Sequence, residues 1–523
     1  MTAPTPSPRT RFGLGIFGAA LALGVTGDLL LRAMPWGLNV TLCAAALVAA
    51  GTALVRWRRI PVGPDAPWLA LTILLLGAAF ARRDSRTLAA FDVVALVLTL
   101  GLAAASLQGV RIRVLDAAGH ARALVTAALG AAFGSLLLVT RDIAWPEILQ
   151  GGRLHRARAV ALGVVLALPL LLVFGALLTG ADAVFANVVS NVFALDLPQL
   201  VSHTLLIAFW AALTGGYLRF ALREGRGGTE SRPAPANAPS PPVPLPGQVL
   251  GIVPIATALG LIDLLFLLFV VVQARYFFGG TALIEQTTGL TYAEYARRGF
   301  FELVTASGLA LPVLLGTDWL VRGETAAHRR TFRQLAGLLV GLLAVVMASA
   351  LERMRLYVAA FGLSEIRLYA TAFMGYLVVL FGWFAWTVLR EQRSRFALGA
   401  LIQGFAVLAG LHLLDPDAFI VRRNLAHPGS ERPFDVAYAA NRLSGDAVPT
   451  LLAGLPGLPP EGRCDAARFL LARWNGEGNR RRGGDWRSWN WGRARARGAV
   501  RSQGGQLRSW ACAARPAPAK ASP

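Results

Sequence analysis

Apolar residues run along this chain in long, nearly unbroken blocks. They cover 13–31, 37–55, 67–80, 88–108, 121–140, 159–180, 199–219, 248–273, 299–317, 334–351, 368–389 and 396–413. Most blocks are about 20 residues long, and at 1.5 Å per residue such a helix crosses roughly 30 Å of hydrocarbon. The blocks lack the apolar–polar alternation of a membrane β-barrel, so helices are the expected way to satisfy their backbone groups. The pattern predicts an all-α fold, a polytopic transmembrane helical bundle of about 11–12 spans with a small α-helical extramembrane tail. Block 67–80 is short for a span and is expected to be re-entrant or interfacial, which favours eleven crossings. The run from Gly13 follows Arg9 and Arg11 and is too long for a cleaved leader, so it is expected to be the first span.

Charge adds an orientation. Loops 141–158, 219–247, 322–333 and 390–395 hold 15 arginines, whereas 181–198, 274–298 and 352–367 hold six. The positive-inside rule places the first set in the cytoplasm, and the tail after residue 413 outside it. The expected setting is a bacterial inner membrane, with the lipid bilayer as the principal partner. The organisation reads as an N-terminal membrane half (1–221), a Pro-rich cytoplasmic linker (222–247), a second membrane half (248–413), a helical tail (414–500) and a disordered end (501–523). Tail helices are expected over 434–443, 445–455, 461–474 and 485–500, with Ser444 as an N-cap.

Only 15% of residues are charged, yet the net charge is +22 and Lys520 is the only lysine. So basic a chain can signal nucleic acid, but much of this charge lies in loops between spans, where topology explains it. The tail carries Trp486, Trp489 and Asn490 beside Arg487, Arg493, Arg495 and Arg497. Outside the cytoplasm this set suits a helix docked on the tail or resting on anionic headgroups, and no nucleic-acid partner is expected. The three cysteines, Cys43, Cys464 and Cys512, have no metal-ligand spacing. Neither a P-loop, a GxSxG elbow nor an HExxH helix occurs, so no cofactor, metal or catalytic residue is predicted.

Four stretches carry a resemblance: Ala181–Phe185 (ADAVF), Leu290–Leu303 (LTYAEYARRGFFEL), Tyr357–Tyr369 and Asp485–Trp491 (DWRSWNW). On these, residues 150 to 500 resemble the bacterial membrane-protein family of domain of unknown function 4173 (DUF4173), which is related to DUF4153. The resemblance implies a multi-pass membrane protein and brings no catalytic residues with it.

Two sets of residues are candidates for chemistry. Under the predicted topology Arg275, Glu294, Arg297, Arg298, Glu302, Glu352, Arg353, Arg355, Glu365 and Arg367 converge at the outer ends of the spans. They form either an ion-pair network or a cleft for an anion, since arginine binds carboxylate and phosphate bidentately. Thr291 and Glu294 have capping-box spacing, and Arg298 and Glu302 lie one helical turn apart. The second set is intramembrane. Asp28, Asp92 and His203 suit helix–helix hydrogen bonds, while Asp263, apolar on both sides, is the candidate for a proton or cation path. Three functions stay open. The leading one is a non-enzymatic envelope scaffold or sensor whose tail meets another envelope protein. The others are a transporter of a small anion or proton-coupled solute, and a membrane transferase acting on a lipid-linked anion.

Overall fold

The computed structural model describes residues 6–148, 197–222, 252–278, 300–321, 325–426, 434–475 and 485–511, with a few positions between 163 and 182. The linker 222–247 therefore lies almost wholly outside the described residues. Regular structure among the described residues is entirely helical. The bundle comprises α1 (Pro8–Leu31), α2 (Leu38–Arg58), α3 (Ala66–Arg82), α4 (Arg86–Leu107), α5 (Ala117–Leu137, continued by a π-helical turn Leu138–Asp142), α6 (Leu197–Leu222), α7 (Ile252–Phe278), α8 (Phe300–Leu320), α9 (Ala326–Phe361), α10 (Glu365–Thr387) and α11 (Arg393–Leu414). Ten of the described helices are long and apolar enough to cross a membrane, and α3 is a shorter apolar helix. The chain is a multi-pass helical membrane protein.

The tail comprises α12 (Pro416–Leu425), α13 (Val436–Asn441), α14 (Val448–Gly454), α15 (Pro460–Asn475), α16 (Trp491–Ser502) and α17 (Gly504–Trp510). These share one core in which Ala440, Leu451, Ala466, Leu470, Val500 and Leu507 are fully buried. Two expectations need correction. Residues 485–490, expected to begin a helix, form a 3-10 turn (Trp486–Ser488) and an extended step, because Asp485 caps that turn and Asn490 caps α16 with their own side chains. The region past 501, expected to be disordered, contains α17, ordered by burial of Leu507.

The tail defines one end of the bundle. Leu38 N–H donates to the Trp489 carbonyl (2.8 Å), and Arg487 Nη1 donates to the Leu29 carbonyl (2.5 Å), so α1 ends and α2 begins at the tail. Asn490 Nδ2 holds the carbonyls of Phe80 and Arg83, both at 2.7 Å, so α3 ends there too. Block 67–80 thus runs the length of the bundle antiparallel to α2, contrary to the expectation that it stops short. Its 17 residues reach about 25 Å, enough for a span. The exception is α5 instead. Its start is fixed at the opposite end by the Arg113–Asp65 pair (2.7 Å), and Asp142 at its finish meets Arg9 (3.0 Å) and Arg219 at that same end. Hydrophobicity cannot separate α3 from α5, whereas Arg219, 7% exposed, requires its carboxylate where α6 ends.

Tryptophans mark both ends. Exposed Trp36, Trp486, Trp489 and Trp491 lie at the tail end, and exposed Trp57, Trp68, Trp319 and Trp386 at the other, as in interfacial aromatic belts. Lipid supplies no hydrophobic drive between helices, so close packing by small residues does much of the work. Gly134 and Gly216 bring α5 and α6 into backbone contact, and a Cβ on Gly216 would meet the Ala131 carbonyl oxygen at 2.2 Å.

Candidate functional site

The side chain of Arg275 and residues Thr291, Glu294, Arg297 and Arg298 lie outside the described residues, and with them the expected Arg298–Glu302 pair. Of the described members of the outer cluster, Glu352, Arg355 and Arg367 face one cleft, while Glu302, Arg353 and Glu365 do not line it. Glu302 is exposed at the start of α8. Glu352 pairs with Arg355 one turn along α9 (3.4 Å), on the same stretch of helix as Arg353. Arg367 folds back to close α9. Its guanidinium lies 3.9 Å from the Tyr357 ring centre and donates to the carbonyls of Phe361 and Gly362. Glu365 turns the other way, accepting from the Thr87 hydroxyl, while its N–H donates to Tyr438 Oη (2.9 Å). Helix ends with unsatisfied carbonyls recruit the nearest arginine before a distant carboxylate can.

The structure assembles a different constellation, where the α3–α4 turn meets the tail. Asp84 is its hub. Its Oδ1 accepts from Arg493 Nη1 (2.6 Å) and its Oδ2 from Gly445 N–H (2.9 Å), while its own N–H donates to Asp446 Oδ2 (2.8 Å). Arg83 donates to the His412 carbonyl from Nε (3.1 Å) and Nη2 (2.6 Å), and its Nη1 pairs with Asp415 and approaches Asp446 Oδ1 (3.9 Å). Arg493 Nη2 also donates to the carbonyls of Trp36 (2.9 Å) and Ser488 (2.7 Å). Asn490 is fully buried; its Nδ2 closes the C-terminus of α3 while its Oδ1 caps α16 by accepting from Arg493 N–H (3.1 Å). Ser444, the expected N-cap, does accept from Asp446 N–H (3.3 Å), although the cap opens a 3-10 turn.

Carboxylates crowd this joint. Asp417 accepts from Ser444 N–H (3.1 Å), but its other oxygen has no partner in the structure. Burial pushes the Asp417 carboxyl up to about 6 and Asp446 up to about 7, with neighbouring carboxylates adding to the shift. The joint is a buried polar latch that binds the tail to the spans, with two carboxyls poised to hold protons near neutral pH. Asn490 and Arg493 stood out in the sequence beside the tail tryptophans, whereas Asp84, the hub, did not. Nothing in spacing links residues about 400 positions apart.

A second feature lies beside the latch. A cleft of about 2040 Å³ opens between the α9–α10 turn and the tail. It brings Glu352, Arg355 and Arg367 together with tail residues Phe419, Arg423, Phe434, Leu458, Glu461 and Asp465.

Within the bundle, two of the intramembrane acids make the expected helix–helix bonds. Asp28 accepts from Arg32 (2.7 Å) and meets His203 Nδ1 (2.5 Å), joining α1 to α6. Asp92 meets His412 Nε2 (2.9 Å), joining α4 to α11. Asp263 differs, being 3% exposed with neither oxygen hydrogen-bonded. A lone charge in mid-membrane costs about 2.5–3.5 kcal/mol or more.

The helices and the latched tail together define a class, an integral membrane protein whose extramembrane helices are built onto its spans. The family described as domain of unknown function (DUF4153) matches residues 70–454, from α3 to the end of α14. The chain belongs to the DUF4153 family. No curated protein and no solved structure matches it.

Proposed function

We propose that the chain is an envelope scaffold or sensor in a bacterial inner membrane, non-enzymatic, with its tail outside the cytoplasm. The observation that carries this reading is the latch. Because buried Asn490 completes the end of α3 and half-buried Arg487 reaches the end of α1, the tail cannot swing as a tethered module, and what it binds is felt by the spans. The orientation rests on charge. The end opposite the tail gathers Arg9, Arg11, Arg56, Arg58, Arg59, Arg113, Arg219, Arg329, Arg330, Arg333, Arg390 and Arg395, as a cytoplasmic face does. Cys464 is disulfide-bonded, chemistry that persists in oxidising compartments outside the cytoplasm.

The cleft is the surface for a protein partner. Its walls carry both signs, Arg355, Arg367 and Arg423 against Glu352, Glu461 and Asp465, around apolar Phe419, Phe434 and Leu458. A mixed lining complements a polypeptide segment with its own charges and apolar anchors, whereas a lipid phosphate would meet repelling carboxylates. The test is site-specific photocrosslinking in native membranes from Phe434 and Leu458, with exposed Leu265 as a lipid-facing control. A discrete protein adduct from the cleft positions, abolished by Arg367→Glu in a folded protein, is expected. Adducts to lipid only, or a reporter fused after residue 414 that works solely in the cytoplasm, would overturn the reading.

A further inference from the structure

At the end of the bundle opposite the tail, the two membrane halves meet at a seam. There α11 packs against α5 and against the 3-10 turn Ile112–Val114 that precedes it. A pocket of about 360 Å³, the size of a small-ligand site, opens on this seam. Arg113 of the turn and Arg395 of α11 bring a guanidinium to it from each half. Trp383 of α10 and Leu398, Gly399 and Ile402 of α11 supply an apolar wall. Gly399 is what admits the indole. A Cβ there would collide with the Trp383 ring, whose Nε1 donates to the Phe396 carbonyl (3.2 Å).

The protein leaves part of this positive charge uncompensated. Arg395 is exposed in the first turn of α11 and makes no ion pair among the described residues. Carboxylates of the same end are engaged elsewhere, Asp318 by Arg393 (2.8 Å) and Glu391 by Arg333 (3.2 Å). Asp65 takes Arg113 Nε (2.7 Å), and neither Nη of Arg113 is hydrogen-bonded among the described residues. The apolar wall descends from these charges. Ile402 lies seven residues, about 10 Å, along α11 from Arg395 and is 59% exposed on the outer surface of the span. Exposed Trp386, just beyond Trp383 on α10, sets the mouth of the pocket at the interfacial belt. Guanidiniums at headgroup depth with an apolar wall beneath complement an anionic amphiphile, since arginine grips phosphate through paired N–H groups. A zwitterionic lipid would bring its ammonium against the same two cations.

We propose that this pocket binds an anionic phospholipid, with the phosphodiester at Arg113 and Arg395 and an acyl chain along Leu398 and Ile402. The bound lipid ties the turn before α5 to α10 and α11 and so clamps the two membrane halves together. The site lies at the far end from the cleft and the latch and needs neither, so its failure leaves the scaffold reading untouched.

The test uses the full chain, delipidated in a non-ionic detergent. Native mass spectrometry counts retained lipid, and thermal melting is followed during titration with dioleoyl phosphatidylglycerol, dioleoyl phosphatidylcholine or glycerol 3-phosphate. The wild type is expected to retain one phosphatidylglycerol, and its melting midpoint should rise saturably with that lipid alone. Arg395→Gln should weaken the apparent affinity by about tenfold, the worth of one charge-assisted hydrogen bond, and Arg113→Gln by a similar factor. Arg390, which lies over Trp386 (4.0 Å) and outside the pocket, is the control, and Arg390→Gln should change nothing. Equal responses to the two lipids overturn the proposal, as does an undiminished response in both pocket variants. An equal loss in Arg390→Gln overturns it too, since the basic end would then attract lipid without a site. A response to glycerol 3-phosphate as strong as to the lipid would make the ligand a soluble phosphate and refute the lipid assignment. Arg395 is exposed and unpaired, so its variant keeps the fold, and the comparison of lipids on the wild type decides the question without any variant.

Discussion

Replacing Asn490 with alanine should release the tail from the bundle without unfolding the spans. The side chain is fully buried and makes three hydrogen bonds: to the Phe80 and Arg83 carbonyls at 2.7 Å each, and from Arg493 N–H at 3.1 Å. Alanine removes all three and leaves two carbonyls and one N–H facing a space too tight to hydrate well. Each buried polar group so orphaned costs about 1–3 kcal/mol, and partial hydration of the two carbonyls lowers the sum, so the loss should be about 3 kcal/mol. That shifts the docked–undocked equilibrium roughly 150-fold. Hydrogen exchange of the purified protein is the assay. Amides of α16 should exchange far faster in the variant, while those in the middle of α9 should not change. The exposed neighbour Trp491 provides the control, since Trp491→Ala should move neither. A loss under about 0.5 kcal/mol at α16, the scale of an ordinary surface substitution, would refute the claim that Asn490 fastens the tail.

The Arg493–Asp84 pair should behave as a coupled unit in thermal melts. Either alanine variant alone strands a nearly buried charge and should cost about 3–5 kcal/mol, while the double variant should cost less than the two summed. Asp446 faces Asp84, Asp415 and Arg83, and Asp417 faces Ser444, Glu365 and Asp415; both carboxyls are raised in the folded protein. Their stabilising contribution is full below about pH 4 and is lost as pH rises towards 7, so α16 should be better protected at about pH 5 than at about pH 8, and Asp446→Asn should flatten the difference. Gly37→Ala should loosen the same joint, because a Cβ there would lie 2.3 Å from the Trp489 carbonyl oxygen, a backbone atom that can retreat only if the tail moves; melting of the tail in that variant is the measurement.

Much of this protein could be read along the chain. The lengths and positions of the apolar blocks set the helical bundle, because a membrane leaves backbone groups no partner but their own helix. The loop arginines set a consistent polarity, and Ser444 marked a turn that the structure keeps. Asp263 stood out in sequence as a carboxylate within an apolar block and remains so in three dimensions, while Asp28 and Asp92 found the helix partners expected of them.

Other features depended on contacts between distant residues. Blocks 67–80 and 121–140 are both apolar, and composition cannot say which returns to the end it left. That was decided by Asn490 gripping the end of α3 and by Arg219 requiring Asp142 at the end of α6. Glu352, Glu365 and Arg367 were expected in one cluster because the predicted topology brings them to the outer ends of neighbouring spans. Helix direction then sent Glu365 to α4 and the tail, and Arg367 back over Tyr357. The latch was the least legible, since Asp84 and Arg493 gain their meaning only when folding removes water from both. The sequence by itself determined which segments prefer lipid, a property each segment has alone; tertiary structure decided which polar residues meet, because a buried charge or amide is settled by whatever neighbour the fold supplies.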